Sequence, residues 1–441
     1  MKLHNYQERA VEFMAAHNRC ILSIDMGLGK TASVIHYLDR VRPSSCLIVA
    51  PKRVAETVWL QEAEKWGKDY VAERMIIVAG DKRKRAKALA CNSKPYKIIG
   101  RDNVNDVKDA VVDCLVIDEL TSFKTPTSAR TKAICTIRAH AKIGLTGTFL
   151  ANGAIDIYGQ CMAVSIDDRF GSKNFYAWRA AYFRDKLAGS GLNFQKWVLR
   201  GKLDELLEPI REQVFTLSAA DYLAIPPVTE MEHPIYLTPA ERDAYDSMDA
   251  FLGGVVGGDI VTVQEGAKFA KLQTMCNGFI YLDDGTSKRQ EESSKLEAVA
   301  EFCDRCASEG EQVLLFFAYR DEAAWLAEKL KARGVKFDGV WRKGFADRWN
   351  AGECGVLFAH PSSAGHGLNL QQGGHIVCWS SVTYNYELFA QANARLARQG
   401  QTKPVQIHYF NAVNTCEQRQ RKALIDKAEA QGLFVNLTKK N

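Results

Sequence analysis

The residues best suited to chemistry lie near the start of the chain, in the segment IDMGLGKT at positions 24–31. Glycines in such a turn let backbone N–H groups face a polyphosphate, a following lysine reaches the β- and γ-phosphates, and the next hydroxyl can ligate Mg²⁺. The candidate nucleotide-binding residues of this segment are Gly27, Leu28, Gly29, Lys30 and Thr31. Lys30 is also a candidate catalytic residue, and Thr31 is a candidate metal ligand. Ile24 stands where the full pattern has glycine, so an ordinary strand-to-helix turn is the alternative interpretation.

A second candidate group is the pair of carboxylates that ends an apolar run, Asp118 and Glu119. Asp118 can hold Mg²⁺ through water, and Glu119 is placed to orient and deprotonate a water that attacks a phosphate. Acidic residues often end strands, so the pair alone is weak evidence for a site. It is informative because it follows the glycine-lysine turn in the same series of alternating strands and helices. Together, the two segments predict the binding of a polyphosphate with Mg²⁺ and its hydrolysis by an activated water.

Short apolar runs that alternate with helical stretches predict the elements that position these residues. The runs in the first part of the chain are 20–24, 46–50, 75–78, 96–99, 114–117 and 142–145, and those in the second part are 313–317, 335–337, 355–359, 375–379 and 405–410. This alternation is typical of parallel sheets with helical crossovers. The predicted fold class is therefore α/β, with two parallel-sheet lobes.

Between the two series of strands lies a stretch of different composition. Residues 153–222 are rich in alanine, leucine, aromatic and charged residues and read as helices, and the segment IPPV at 225–228 interrupts them. The predicted domains are a lobe over residues 1–155, a mostly helical insert and inter-lobe connection over 156–290, and a second lobe over 291–441.

The composition excludes several classes of protein. Of the 441 residues, 46% are hydrophobic and 25% are charged, which excludes a largely disordered chain. The net charge of +6 permits a local basic groove but does not identify nucleic acid by itself. The sequence shows neither an apolar run of transmembrane length nor a signal-type start, and its 12 cysteines are mostly scattered. We therefore expect a cytoplasmic protein with reduced thiols and no membrane partner.

Further short motifs occur in order along the chain. They are LHNYQ at 3–7, the glycine-lysine turn, APK at 50–52 with Trp59 and Trp66, DELTSFK at 118–124, LTGT at 145–148 with Asn152, AGHGLNLQ at 364–371, and QANARLARQGQ at 391–401. This series resembles the Swi/Snf type of superfamily-two helicase-like ATPases, and it is most similar to the compact versions found in bacteriophage genomes. Phe149, where the family usually has proline, and the segment WSS at 379–381 depart from the pattern.

The resemblance implies two RecA-like lobes with ATP at their boundary. It implies that Gln7 reads adenine, that 118–119 is the acidic motif, and that Gln391 contacts the nucleotide. Arg395 and Arg398 would act on the γ-phosphate as arginine fingers from one face of a helix. The alternative for these arginines is a solvated helix face.

The resemblance also implies contacts to the nucleic-acid backbone. The candidate residues are Lys52, Arg53, Lys124, Thr148, His366 and Asn369. For each of them, loop capping is the alternative. A dense basic run at 82–87 is either a solvated helix face or another DNA contact.

The function that these observations predict is an ATP-dependent motor that moves on double-stranded DNA, with nucleic-acid-stimulated ATPase activity. It would act in the cytoplasm, which is that of the bacterial host if the chain is encoded by a phage. Two alternatives stay open: a strand-separating DNA or RNA helicase, and an ATP-switched nucleic-acid-binding module without motor activity. No pin-like hairpin can be recognised in the sequence to favour strand separation.

Overall fold

A computed structural model of the chain describes residues 2–150, 153–172, 174–188, 195, 197–223, 225–253, 255–256, 259–260, 265–282, 284–364 and 369–438. The chain folds into two compact units, one formed by residues 1–223 with 427–441 and the other by residues 224–426. Among the described residues, no helix is both long enough and apolar enough to cross a bilayer.

The first unit is built on a seven-stranded sheet in the order β3-β4-β2-β5-β6-β1-β9, and every pair of neighbours in it is parallel. The strands of this unit are β1 (Arg19–Ile24), β2 (Cys46–Ala50), β3 (Met75–Val78), β4 (Tyr96–Gly100), β5 (Val111–Ile117), β6 (Arg138–Thr146), β7 (Phe183–Asp185), β8 (Trp197–Leu199) and β9 (Val214–Leu217). Strands β7 and β8 form a separate antiparallel hairpin.

Helices cover this sheet. They are α1 (Asn5–Ala16), α2 (Lys30–Val41), α3 (Lys52–Thr57), α4 (Trp59–Lys65), α5 (Asp69–Ala72), α6 (Lys82–Leu89), α7 (Ala129–Thr136), α8 (Ile157–Val164), α9 (Phe175–Tyr182), α10 (Leu203–Leu207) and α11 (Ala219–Tyr222), with 3₁₀ turns at Arg101–Val107, Leu120–Phe123, Ala154–Asp156, Asp167–Phe170 and Glu208–Gln213. Successive strand residues point to opposite faces, so Ile21 and Leu22 of β1 enter two different hydrophobic cores. A core on each face explains why the strands read as unbroken apolar runs.

The second unit has a six-stranded sheet in the order β10-β19-β18-β15-β17-β16, again parallel throughout. Its strands are β10 (Val228–Ile235), β11 (Val255–Val256), β12 (Asp259–Ile260), β13 (Phe279–Tyr281), β14 (Ser287–Arg289), β15 (Val313–Phe316), β16 (Phe337–Gly339), β17 (Val356–Ala359), β18 (Ile376–Trp379) and β19 (Val405–Ala412). Its helices are α12 (Pro239–Gly253), α13 (Glu265–Cys276), α14 (Ser294–Ser308), α15 (Arg320–Ala332), α16 (Phe345–Asn350), α17 (Pro361–Ala364), α18 (Tyr386–Asn393) and α19 (Cys416–Thr438), the last of which ends in the first unit.

The two parallel sheets with their helices confirm the predicted α/β fold class, and every predicted apolar run overlaps a strand. The edge strands β9 and β10 were missed, as was the β7–β8 hairpin. Strand β10 carries Glu230, Glu232 and Pro234, residue types that protect a sheet edge and weaken the strand signal in a sequence.

The units divide the chain at points that differ from the predicted domain boundaries of 1–155, 156–290 and 291–441. Residues 156–223 belong to the first unit, in which β9 pairs with β1 and Val214 lies opposite Ile21. Trp178 of α9 is buried in the same core. Residues 224–290 belong to the second unit, where β10 pairs with β19 along its whole length.

A fully buried ion pair fixes the start of α19 inside the second unit. The Lys295 ammonium donates to the Glu417 carboxylate, and the two side chains are 0% and 1% exposed. The other carboxylate oxygen of Glu417 accepts the backbone N–H of Ala412 at 2.9 Å. The Lys295 Nζ also lies 3.4 Å from the Ser381 hydroxyl, within the segment that departs from the family pattern. Two charges buried in this way are stable only as a pair.

We therefore predict that Lys295→Met lowers the free energy of unfolding by about 3–5 kcal/mol, because it leaves the Glu417 charge buried without a partner. The double variant Lys295→Met/Glu417→Gln should recover most of this loss, since glutamine keeps an acceptor for Ala412 and carries no charge. Urea unfolding of both variants measures the difference. A double variant no more stable than the single one would show that the buried charge is not the cause.

Candidate nucleotide-binding site

The turn between β1 and α2 has the backbone geometry that a phosphate-binding loop requires. Gly27 and Gly29 have φ angles of 87° and 77°, in the left-handed region that favours glycine. Gly29 immediately precedes α2, so the first N–H groups of that helix are available to an anion at the turn. A Cβ atom at Gly29 would lie 2.2 Å from the Gln7 Nε2, so a larger residue there would also displace the Gln7 side chain.

Lys30 is held close to the centre of this turn. Its Nζ donates to the carbonyl of Ile24 at 2.7 Å and lies 3.4 Å from that of Asp25, at the end of β1. A Cβ atom at Gly147, in the LTGT segment, would lie 3.7 Å from the same Nζ. The structure therefore brings the turn and the LTGT segment together around one ammonium group.

Gln7 of α1 contacts the turn directly. Its Nε2 donates to the carbonyl of Leu28 at 3.2 Å, and its Oε1 accepts the backbone N–H of His4 at 2.9 Å. The side chain is buried against the turn. The predicted adenine-reading residue is thus adjacent to the predicted phosphate-binding residues.

The acidic pair lies at the end of β5. Asp118 is 7% exposed, and its carboxylate accepts the Trp59 Nε1–H and the backbone N–H of Glu119, both at 3.1 Å. Burial raises the pKa of Asp118 to about 7, with a further contribution from Glu119 that outweighs the opposing effect of Lys30. Glu119 itself has φ 53° and ψ 63°, a left-handed conformation that is uncommon for a residue with a side chain and that clusters at functional sites.

The donors at this position fit Mg²⁺ chemically. Thr31 lies in the first turn of α2 and Asp118 directly follows β5, and the Thr31 hydroxyl and the Asp118 carboxylate are the hard oxygen ligands that this cation prefers. The raised pKa of Asp118 shows that Lys30 and Trp59 only partly stabilise the carboxylate charge. A divalent cation beside it would supply the rest.

The segment QANARLARQGQ, which contains Gln391, Arg395 and Arg398, has a different local structure from the predicted one. Gln391 is buried in α18, but this helix ends at Asn393, so Arg395 and Arg398 follow in turns and do not share a helical face with it. The Asn393 side chain accepts the Trp379 Nε1–H at 2.9 Å. That tertiary bond, formed where the helix ends, has no local signal in the sequence.

Neither arginine is a solvated surface residue. Arg395 is 7% exposed, and its Nε donates to the carbonyl of Gln391 at 3.1 Å. Burial lowers the pKa of Arg398. The interpretation of these residues as a solvated helix face is therefore wrong, whereas their proposed role at the nucleotide stays a prediction.

The six candidate nucleic-acid contacts lie in different environments. Lys52 and Arg53 are exposed at the start of α3, which follows the carboxyl end of β2. The Lys124 Nζ lies 3.4 Å from the Asp156 carboxylate. Thr148 is buried, and its N–H donates to the Thr146 hydroxyl at 3.0 Å.

The remaining candidates lie in the second unit. Asn369 is exposed, and its carbonyl accepts the Asn350 amide at 3.1 Å. His366 lies outside the described residues, as does Asn152 of the first unit. Of the five candidates that the structure describes, Lys52, Arg53 and Asn369 therefore have the exposure that a polymer contact needs.

The basic run at 82–87 forms most of α6, a helix with no buried residue. Arg85 pairs with Asp106 at 2.6 Å, and the Lys84 ammonium lies 4.0 Å from Asp81. The helix is therefore an exposed basic surface, and both interpretations of the run stay open.

Trp59 has a role that the sequence did not reveal. The sequence assigns it only to the motif that begins with APK at 50–52, whereas the indole is fully buried and donates to the Asp118 carboxylate. Asp25 was also overlooked: its carboxylate accepts the backbone N–H of Ala219 at 2.9 Å and ties the turn to the segment after β9. Neither partner is close in sequence, so only the folded sheet shows the two contacts.

The structure has two parallel sheets covered by helices. In the first sheet, the glycine-lysine turn and the acidic pair both follow the ends of strands. The two sheets are therefore RecA-like. Residues 6–290 match the family model described as the SNF2-related domain, and the chain belongs to this family. The resemblance indicated by the motifs is thereby confirmed.

Several relatives are similar to this chain. The chain is 28% identical to the protein p41 of Acyrthosiphon pisum secondary endosymbiont phage 1, over 99% of this chain and 98% of that protein. It is 24% identical to an uncharacterized ATP-dependent helicase of Mycoplasma pneumoniae, over 97% of this chain but 42% of that protein. It is also 24% identical to the mouse (Mus musculus) SWI/SNF-related matrix-associated actin-dependent regulator of chromatin subfamily A member 1, over 93% of this chain and 40% of that protein.

The chain therefore spans nearly all of the phage relative and about two fifths of the other two. Among solved structures, the Sulfolobus solfataricus SWI2/SNF2 ATPase core in complex with dsDNA matches with a TM-score of 0.46 and 20% identity. This match covers 100% of this chain and 95% of that one.

The raised pKa of Asp118 predicts a specific pH dependence of stability. The folded state keeps its proton up to about pH 7, whereas the unfolded carboxyl loses it near 3.8, so the contribution of this group to stability falls as pH rises between these values. We predict that, without Mg²⁺ and nucleotide, the wild-type protein loses about 3 kcal/mol relative to Asp118→Asn between pH 5 and pH 8. Urea unfolding in EDTA at both pH values measures this difference. A pH-independent difference would contradict the charge balance described for the site.

Proposed function

We propose that the protein hydrolyses ATP and couples the hydrolysis to movement along double-stranded DNA. The observation that carries this proposal is the arrangement of the first unit, where Gly29, Lys30, Asp118 and Glu119 occupy the ends of strands in one parallel sheet. Ligands of open parallel sheets bind at the carboxyl ends of the strands, so these residues can act on one nucleotide.

In this proposal the backbone N–H groups of the turn bind the phosphates of ATP, Lys30 leaves the strand-end carbonyls to contact the β- and γ-phosphates, and Gln7 reads the adenine. Thr31 and Asp118 would hold Mg²⁺, which supplies charge neutralisation of the phosphate oxygens when bound. Glu119 accepts a proton from water as the water oxygen attacks the γ-phosphorus, and ADP leaves with the electron pair of the broken bond.

The second unit is proposed to contribute Gln391, Arg395 and Arg398 during turnover. Their partial or complete burial is consistent with a role beyond solubility. A guanidinium that meets the transferring phosphoryl group stabilises the charge of the transition state more than that of the bound substrate.

The duplex is proposed to be gripped through its phosphates. Lys52 and Arg53 of the first unit and Asn369 of the second are exposed. Cationic and polar contacts of this kind position a protein on nucleic acid without reading its sequence. Lys124, Thr148 and His366 remain candidates in the same role. The relative named as a regulator of chromatin supports DNA as the polymer.

A strand-separating helicase is the second candidate. The β7–β8 hairpin, which the sequence did not reveal, and the Mycoplasma relative named as an ATP-dependent helicase favour it. Because the relative that the chain matches nearly end to end comes from a phage, we propose the cytoplasm of a bacterial host as the place of action.

The assignment of Glu119 predicts a loss of turnover without a loss of nucleotide binding. Glu119→Gln keeps the shape of the side chain and removes the base, so the ATPase kcat should fall by about two to four orders of magnitude while the Kd for ATP stays near that of the wild type. Glu64→Gln, which removes an exposed carboxylate of the same unit, is the matched control. An active Glu119→Gln protein would refute the assignment of the general base.

The assignment of Arg398 predicts a similar separation between chemistry and binding. In Arg398→Ala the kcat should fall by about three or more orders of magnitude, with ATP and DNA affinities changed far less, because such a group acts in the transition state. Arg395→Ala should behave alike, and Arg419→Ala, at an exposed position of α19, is the matched control. Turnover within a few-fold of wild type in both arginine variants would refute their role, provided that circular dichroism shows them folded.

A further inference from the structure

The loop that follows β6 is held in place by the last turns of α19. We call residues 147–150 the coupling segment. The backbone N–H of Leu150 donates to the Gln431 Oε1 at 2.9 Å in a buried setting. The Phe149 ring packs on that of Phe434, with 5.1 Å between the centroids, and both rings are fully buried. Two side chains of one helix therefore bind two successive residues of the segment.

Side chains also bond two other backbone groups of the coupling segment. The Gln160 Nε2 donates to the carbonyl of Phe149 at 2.9 Å. The N–H of Thr148 donates to the Thr146 hydroxyl at 3.0 Å. Because side-chain bonds set the course of this loop, the removal of one of them leaves a buried backbone group without its partner.

The coupling segment also lies against the glycine-lysine turn at positions 24–31, which we call the phosphate turn. Gly147 is close enough to Lys30 that a Cβ atom there would come within 3.7 Å of its Nζ, and within 3.6 Å of the Met26 side chain. The coupling segment is therefore adjacent to the lysine that is proposed to contact the phosphates.

The helix that holds the segment begins in the other unit. Helix α19 is continuous from Cys416 to Thr438, and the unit boundary falls between its residues 426 and 427. Its first turn is anchored in the second unit by the buried Lys295–Glu417 pair. Its last turn is anchored in the first unit, where the Thr438 and Thr216 hydroxyls are 2.8 Å apart. One continuous helix therefore carries residues anchored in each of the two units.

The sequence contains a matching departure from the family pattern. Phe149 stands where the resemblance leads us to expect proline. Its ring fills the core of the first unit together with Phe434. A contact between two buried aromatic rings stabilises the fold beyond the burial of their surface, which favours one position of the loop against α19.

We propose that Gln431 and Phe434 are positioning residues for ATP hydrolysis. They hold the coupling segment against the phosphate turn, and through α19 they make the position of that segment depend on the state of the second unit. This inference rests on the proposed ATPase function. Neither residue is among those proposed to bind the nucleotide, so their effect should be on the stimulation of turnover by DNA and not on ATP binding.

The test is the variant Gln431→Met, which keeps the size of the side chain and removes the acceptor for Leu150. The matched control is Asn436→Leu, which removes an exposed amide from the same helix. ATPase rates with and without duplex DNA, the KM for ATP and the melting temperature are measured on the full chain. We expect the DNA-stimulated kcat of Gln431→Met to fall about ten-fold, with the KM for ATP and the unstimulated rate within about two-fold of wild type.

Three results would overturn the inference: an unchanged stimulated kcat, an equal fall of the stimulated and unstimulated rates, or the same loss of stimulation in Asn436→Leu. If Gln431→Met is too unstable to purify, Phe434→Leu, which keeps an apolar side chain, is measured in the same way with the same expected pattern. A wild-type protein without ATPase activity would instead refute the proposed function, so the two failures are distinguishable.

Discussion

The burial of the Asp118 carboxylate is the constraint on which the first unit depends. The group lies at the end of β5 beside a second acid, and the protein itself supplies Lys30, the Trp59 indole and one backbone N–H to stabilise it. These contacts leave the pKa of Asp118 near 7, so at neutral pH the negative charge of the carboxylate is only partly stabilised. A buried carboxylate whose charge is only partly stabilised favours the binding of a cation. For the same reason, its charged form destabilises the fold when no cation is bound.

Other elements of the first unit position the residues that surround the Asp118 carboxylate. Parallel strands bring the ends of β1, β5 and β6 to one edge of the sheet, and with them the glycine-lysine turn, the acidic pair and the coupling segment. Trp59 reaches Asp118 from α4, while the Asp25 carboxylate joins the turn to the segment after β9. Helix α19 reaches the same region through Gln431 and Phe434. Each of these contacts holds the turn, the acidic pair or the coupling segment in its place.

The sequence predicts what local patterns encode. Strands such as β2 and β15 are buried on both faces and therefore appear as unbroken apolar runs, and the short motifs locate the turn and the acidic pair. Local sequence patterns do not predict elements and site residues that depend on contacts between distant parts of the chain. Strand β9 is identified only by its pairing with β1, α18 ends early at a residue bonded to Trp379, and Trp59 and Gln431 are connected to the site through partners far along the chain.

The most direct test of the central claim, movement on duplex DNA driven by ATP, is displacement of a third strand from a DNA triplex. The account predicts that the wild-type protein releases the third strand when ATP and Mg²⁺ are present, that a non-hydrolysable ATP analogue does not support release, and that the underlying duplex stays paired. ATP hydrolysis without release of the third strand would contradict translocation. Separation of the duplex strands at a comparable rate would instead identify an unwinding helicase.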